Sequence, residues 1–308
     1  MSREESKNIA HSIFQRLLKR AKANSEDFNL LLSRYGMERF LYRLSVSSYS
    51  DQFVLKGASL FLVWMRQNYR VTRDVDLLGF GSPDLQNLAE KFRNICGVDC
   101  DTDGMVYHAD TLKVEEIREG QEYAGVRVTL VGLLNKARIP LQIDIGFGDA
   151  VTPGPEDIEY PTLFEAPSPK LRAYPRCTVV AEKLEAMVHL GLANSRMKDF
   201  YDIWLLLTIF PFEGNVLRAA IKNTFNRRET SLPGGTPFAF TSDFYEDPQK
   251  LVQWNAFIKK AKPNIRVNDL SMVIGEIFRF LQPVIDSYQS ESSFEKEWLP
   301  EQGWTEKQ

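Results

Sequence analysis

The chain has 308 residues, 44% of them hydrophobic and 26% charged, which is ample for a sizeable core and excludes a disordered tail or a fibre. Its 41 acidic residues against 38 basic ones give a formal charge of -3, which excludes a protein that coats nucleic acid through overall charge while leaving a local basic patch open. Cys96, Cys100 and Cys177 with His11, His108 and His189 form no zinc-ligand spacing, and an odd cysteine count suits a reducing compartment, so a cytoplasmic protein is expected. The strongly apolar stretch 203–212 is about half of a membrane span, and residues 1–20 mix charges with short apolar pieces, so neither a membrane segment nor a targeting segment is expected.

In chain order, Ile9, Ile13, Leu17 and Leu18, then Phe28, Leu31, Leu32, Phe40, Leu41 and Leu44, recur at three and four residues and predict two or three amphipathic helices over 6–45. A short β-like run, 52–56, meets Gly57 and is followed by a helical pattern over 59–66, which predicts strand, tight turn, helix. Residues 71–80 alternate as a strand, and a helix is expected near 83–95. The segments 106–117, 125–131 and 139–145 read as three more strands. Between 151 and 175 the sequence turns proline-rich and non-periodic, a plausible crossing to a second module. Helical periods follow over 178–192, 198–209, 215–225, 248–260 and 267–287, and the last residues are expected to be loosely held. The expected fold class is α+β: a mixed-sheet α/β domain with N-terminal helices over 1–175, then a helical domain over 176–308.

The chemistry concentrates between Lys56 and Asp76. Thr72, Asp74 and Asp76 share one face of their strand while Val71, Arg73, Val75 and Leu77 share the other. Like charges about 4 Å apart repel by roughly 1 kcal/mol in water and about 4 kcal/mol at an effective dielectric of 20, so a bound cation is the natural compensation. In the strand around 140–145, Gln142 and Asp144 face one way and Leu141, Ile143 and Ile145 the other. If the two strands are neighbours, three carboxylates converge on a hard-cation site for Mg²⁺ or Mn²⁺. An isolated Asp-x-Asp is a loose motif that solvated strand faces also carry. The glycine turn upstream and the third acid downstream favour the metal reading.

Gly57-Ala58-Ser59, a spacer, then Arg70-x-Thr72-x-Asp74-x-Asp76 resembles the nucleotidyltransferase-like toxins of the AbiEii/AbiGii family. Glu182-Lys183-Leu184 and Arg196-x-Lys198-Asp199-Phe-x-Asp202 resemble the lysine and aspartate motifs of the same family. The resemblance runs from about Glu38 to Trp254, with Gly57-Ala58 where a Gly-Gly turn is common. It implies an N-terminal nucleotidyltransferase-like core, with Lys183 and Asp199 contributed by the helical module to the active-site cleft. Asp74, Asp76 and Asp144 would hold metal, Asp144 also serving as proton acceptor, and Lys56, Gly57, Ser59, Arg70, Thr72 and Lys183 would bind the NTP substrate.

The activity so implied belongs to the toxin half of a bacterial toxin–antitoxin or phage-defence pair, moving NMP from NTP to an acceptor such as the 3′ end of a tRNA. The implied partner is a cognate winged-helix antitoxin that need not form a stable complex. A nucleotidyltransferase acting on a protein or small molecule, or a non-enzymatic NTP-binding regulator, are the alternatives. Arg16, Lys19 and Arg20 share a helical face that reads as a solvated charge stripe sooner than an RNA contact. His189 reads as a packed or surface histidine, and the aromatics between Trp204 and Phe240 read mostly as core.

Overall fold

The computed structural model describes residues 3–66, 74–119, 122–261, 263, 265, 267, 269–290 and 293–307. The chain divides into two compact units, one of residues 1–148 and 156–173, the other of 149–155 and 174–308.

The first unit opens with helices α1 (Arg3–Asn24) and α2 (Phe28–Val46) and continues through β1 (Phe53–Lys56), α3 (Ser59–Met65), β2 (Asp74–Gly79) and α4 (Leu85–Cys96). Long strands β3 (Met105–Glu119), β4 (Glu122–Leu134) and β5 (Ala137–Phe147) follow, with β6 (Glu156–Glu159) and β7 (Lys170–Ala173) closing the unit. All seven form one mixed sheet in the order β3-β4-β5-β2-β1-β7-β6, so the fold class is α+β as expected. β2 runs parallel to β5 and antiparallel to β1. Asp27 and Asp84 accept hydrogen bonds from the backbone N–H of Leu30 and Asn87, capping α2 and α4 at their first turns.

One sheet face is apolar: Leu55, Val75, Leu77, Val126, Val128, Ile143 and Ile145 are each no more than 1% exposed. Phe40 of α2 stacks on Phe92 of α4, and Phe92 meets Phe53 of β1 edge-on, so the helices seal this face. Inside the unit, Arg43 makes a buried pair with Asp103 at 2.6 Å, and Arg20 donates to the Leu163 carbonyl at 3.0 Å. Arg16 lies over the Phe164 ring at 4.2 Å, so the supposed charge stripe of α1 is tied to the 156–173 segment.

The proline-rich stretch is more ordered than its lack of period suggests. It supplies β6 and β7, and β7 pairs in parallel with β1 through Val54 and Leu55. Four-residue strands are too short to print an alternation on the sequence.

The second unit is mostly helical: α5 (Arg176–Leu190), α6 (Met197–Ile209), α7 (Gly214–Arg227), α8 (Ser242–Tyr245), α9 (Pro248–Ala261) and α10 (Leu270–Gln289). Three short strands, β8 (Phe212–Glu213), β9 (Lys296–Leu299) and β10 (Gly303–Glu306), form its small sheet. The C-terminal segment is therefore not loose. Trp298 is 1% exposed and its indole N–H donates to the Leu207 carbonyl, while Trp304 donates to the Phe280 carbonyl and stacks on the Phe280 ring. Two indoles pinned this way outweigh the polar residues between them. Among the described residues no helix is long and apolar enough to cross a membrane.

Candidate active site

Strand register sets the site. Lys56 of β1 lies opposite Asp76 of β2, Asp76 is in register with Asp144 of β5, Asp144 with Arg127 of β4, and Arg127 with Glu115 of β3. Residues in register share a face, so these five side chains form one row across the sheet. A second row, two residues along each strand, runs Asp74, Gln142, Thr129, Lys113. The face opposite the packed helices thus carries four carboxylates, two amines and a guanidinium. The condition set by the sequence, that the two acidic strands be neighbours, is met.

Between β1 and α3 the chain reverses at Gly57, whose φ of 72° is a left-handed conformation that side-chain-bearing residues adopt at a cost. A Cβ there would run into the Asp76 carboxylate. Glycine is therefore required twice, for the turn and for the approach of backbone to acid. Ser59 is 3% exposed and packed beside Tyr160, inside the unit and off the rows. Arg70 and Thr72 lie outside the described residues.

Asp144 has a partner that the sequence did not announce. Arg127 Nε and Nη2 each donate at 2.8 Å to separate oxygens of Asp144, and the Gln142 amide adds contacts of 3.3 and 3.2 Å. The hydrogen bonds to Asp144 hold the Arg127 guanidinium above its ordinary value. Asp74 and Asp76, two residues apart on one strand face, are the oxygen donors a hard cation prefers. Among the described residues no group of three His, Cys, Asp or Glu side chains is placed to hold a metal ion.

Beside the second row opens a groove of about 740 Å³. Asp74, Gln142, Thr129 and Lys113 line it with Ser33 and Arg138. Lys113 and Arg138 were missed by the sequence reading because each sits singly in a long strand, where a lone cation reads as solvent face.

In the second unit Lys183 of α5 lies 2.6 Å from Asp199 Oδ1 and 2.8 Å from Asp202 Oδ2, both on α6. The two acids are 2% and 1% exposed, and Arg196 Nε reaches Asp199 Oδ2 at 3.1 Å. Burial alone would lower the Lys183 pKa, but Asp199 and Asp202 outweigh it and hold the ammonium above the ordinary lysine range. A neighbouring cluster centres on Arg228, which meets Glu185 at 2.8 Å, Glu182 at 3.2 Å and Asp149 at 3.3 Å. No motif announced it, because its members are spread over 149–228.

A family model described as nucleotidyl transferase AbiEii toxin, type IV toxin–antitoxin system, matches residues 39–273. The chain belongs to the AbiEii toxin family. The resemblance read from the glycine turn and the paired aspartates is met at that level, and both rows and the Lys183 cluster fall within the matched span of this AbiEii protein. The crystal structure of JHP933 from Helicobacter pylori superposes with a TM-score of 0.51 at 14% identity, covering 85% of this chain and 95% of that one. A second Helicobacter pylori crystal structure, of a candidate nucleotidyltransferase, gives 0.49 at 14% identity over 86% of this chain and 98% of its own. The first likeness shows a shared fold. No curated protein matches the AbiEii chain.

Proposed function

We propose that this AbiEii toxin moves a nucleoside monophosphate from an NTP to an acceptor hydroxyl, and that the acceptor is an RNA 3′ end such as that of tRNA. The observation that carries the reading is the alignment of Asp74 and Asp76 with Lys56 and Arg127 on one polar sheet face, under a glycine turn closed onto Asp76. Such an arrangement suits a reaction that depends on positioning and on neutralising phosphate charge.

Asp74 and Asp76 are the residues that would hold Mg²⁺ or Mn²⁺. Held there, a divalent cation would supply positive charge to offset that of the triphosphate as pyrophosphate leaves. Lys56 brings an ammonium to the same row, and Gly57 keeps the turn bare of side chain where a phosphate must approach. Arg70 and Thr72 are assigned to the triphosphate by the family motif. Lys183 is assigned to phosphate binding, with Asp199 orienting its ammonium. Lys113 and Arg138 give the groove beside Asp74 the positive charge that an RNA backbone needs. We assign the neutralising partner to a cognate winged-helix antitoxin that acts without a stable complex.

The test is incubation of the purified protein with each labelled NTP, Mg²⁺ and total RNA. Label is expected in RNA with wild type and absent with Asp76→Ala. Label in protein or in a small molecule would move the reading to another acceptor class, and nucleotide binding without any transfer would replace the enzyme with an NTP-binding regulator.

A further inference from the structure

We infer that Arg127 occupies the place a second metal ion would take, so that this is a one-cation site whose other positive charge is a guanidinium fastened to Asp144. The inference rests on the nucleotidyltransferase reading of the Asp74 and Asp76 face. Its first support is geometric: two donors of Arg127 meet two oxygens of Asp144 at 2.8 Å each, the planar fork that binds a carboxylate most strongly. With the Gln142 amide at 3.2 and 3.3 Å, both oxygens of the third acid are engaged from the side of β4 and β5.

The second support is register. Arg127 stands directly opposite Asp144 in the β4–β5 ladder, and Asp144 stands in register with Asp76 in the β2–β5 ladder. The ladder itself, not the chance reach of a long side chain, sets the guanidinium one strand beyond the acid that neighbours Asp76. A second divalent ion at Asp144 would have to break the two-pronged pair and then sit beside a fixed positive charge, two costs that add.

The third support is exposure. Asp144 is 18% exposed and Arg127 41%, so the acid is screened while part of the Arg127 side chain meets solvent on the row that carries Asp76. An arginine held through one edge offers its remaining N–H groups to phosphate oxygens in a fixed plane. Asp144 is thereby a positioning residue acting through Arg127. The disagreement with a three-carboxylate, two-metal site is a property of this chain's own residues.

The experiment counts Mn²⁺ bound per chain by electron paramagnetic resonance, with each of the four α,β-imido NTPs at saturation, since these cannot be cleaved at the α–β bond. Wild type should hold one nucleotide-dependent ion. Arg127→Ala should hold two, because Asp144 is released as a ligand, and Arg127→Ala with Asp144→Asn should return to one. Two ions in wild type would overturn the inference and leave the transferase reading standing, and this count needs no variant to fold. One ion in Arg127→Ala, with melting showing a folded protein, would overturn it as well. No nucleotide-dependent ion in wild type would overturn the transferase reading and the inference together.

Discussion

The backbone of Gly57 closes against the Asp76 carboxylate so tightly that a methyl group on Gly57 would share its space. Gly57→Ala therefore carries two penalties. The left-handed φ of 72° costs about 1–2 kcal/mol for a residue with a Cβ. The clash also swings Asp76 off its row. Transfer activity should fall by far more than a melting shift of that size explains. An alanine variant with full transfer and a lowered melting point would show that Asp76 works without the bare turn.

The Lys183 ammonium neutralises two buried acids at once, so Lys183→Ala should destabilise the second unit as well as silence the toxin. Breaking a buried pair by removing one partner typically costs about 3–5 kcal/mol. Adding Asp202→Asn should recover part of the melting temperature without recovering growth inhibition. Recovery of toxicity in the double variant would reduce Lys183 to a structural role.

Reversing the charge of the groove should separate acceptor from nucleotide. Lys113→Glu and Arg138→Glu are exposed substitutions, within about 0.5 kcal/mol in stability. They should raise the apparent KM for RNA and make transfer less sensitive to salt, with NTP affinity held within about twofold. Unchanged salt dependence in the double variant would place the RNA elsewhere.

Glu38 offers a pH test of the first unit. It is wholly buried, accepts a hydrogen bond from Leu163 N at 2.7 Å, and lies 3.2 Å from Arg39. Burial, against the opposing pull of Arg39, pushes its carboxyl up to about 7 from 4.5. In the unfolded chain the same group ionises at lower pH. Stability should therefore fall as pH rises from 4.5 to 7, with the loss complete above 7. Glu38→Gln removes the titration, so its melting temperature relative to wild type should rise from pH 5 to pH 8. A difference constant across that range would mean that Glu38 is ionised throughout.

The strands of the first unit were legible because period two is printed on 106–145, and the paired aspartates because alternation alone places Asp74 and Asp76 on one face. What could not be read was register. Arg127 sits in Val-Arg-Val-Thr, where an isolated charge signals a solvent face, and only the β4–β5 ladder brings it across 17 positions to Asp144. The groove cations Lys113 and Arg138 were hidden for the same reason. For Lys183, Asp199 and Asp202 the family's lysine and aspartate motifs named the residues. The joint capture of the ammonium by the two acids is a product of helix packing. The C-terminal tryptophans were masked by the polar residues around them.

The order in which the segments enter the first unit bears on how a ribosome delivers it. The chain leaves that unit at 148, spends 149–155 in the other, and comes back for 156–173. Until Ala173 has emerged, β1 has no β7 to pair with, so the newborn sheet presents a bare Val54–Leu55 margin. Vectorial synthesis thus leaves the seven-stranded sheet unfinished for the interval needed to add its last strand, when a neighbouring nascent chain is a competing partner for that margin.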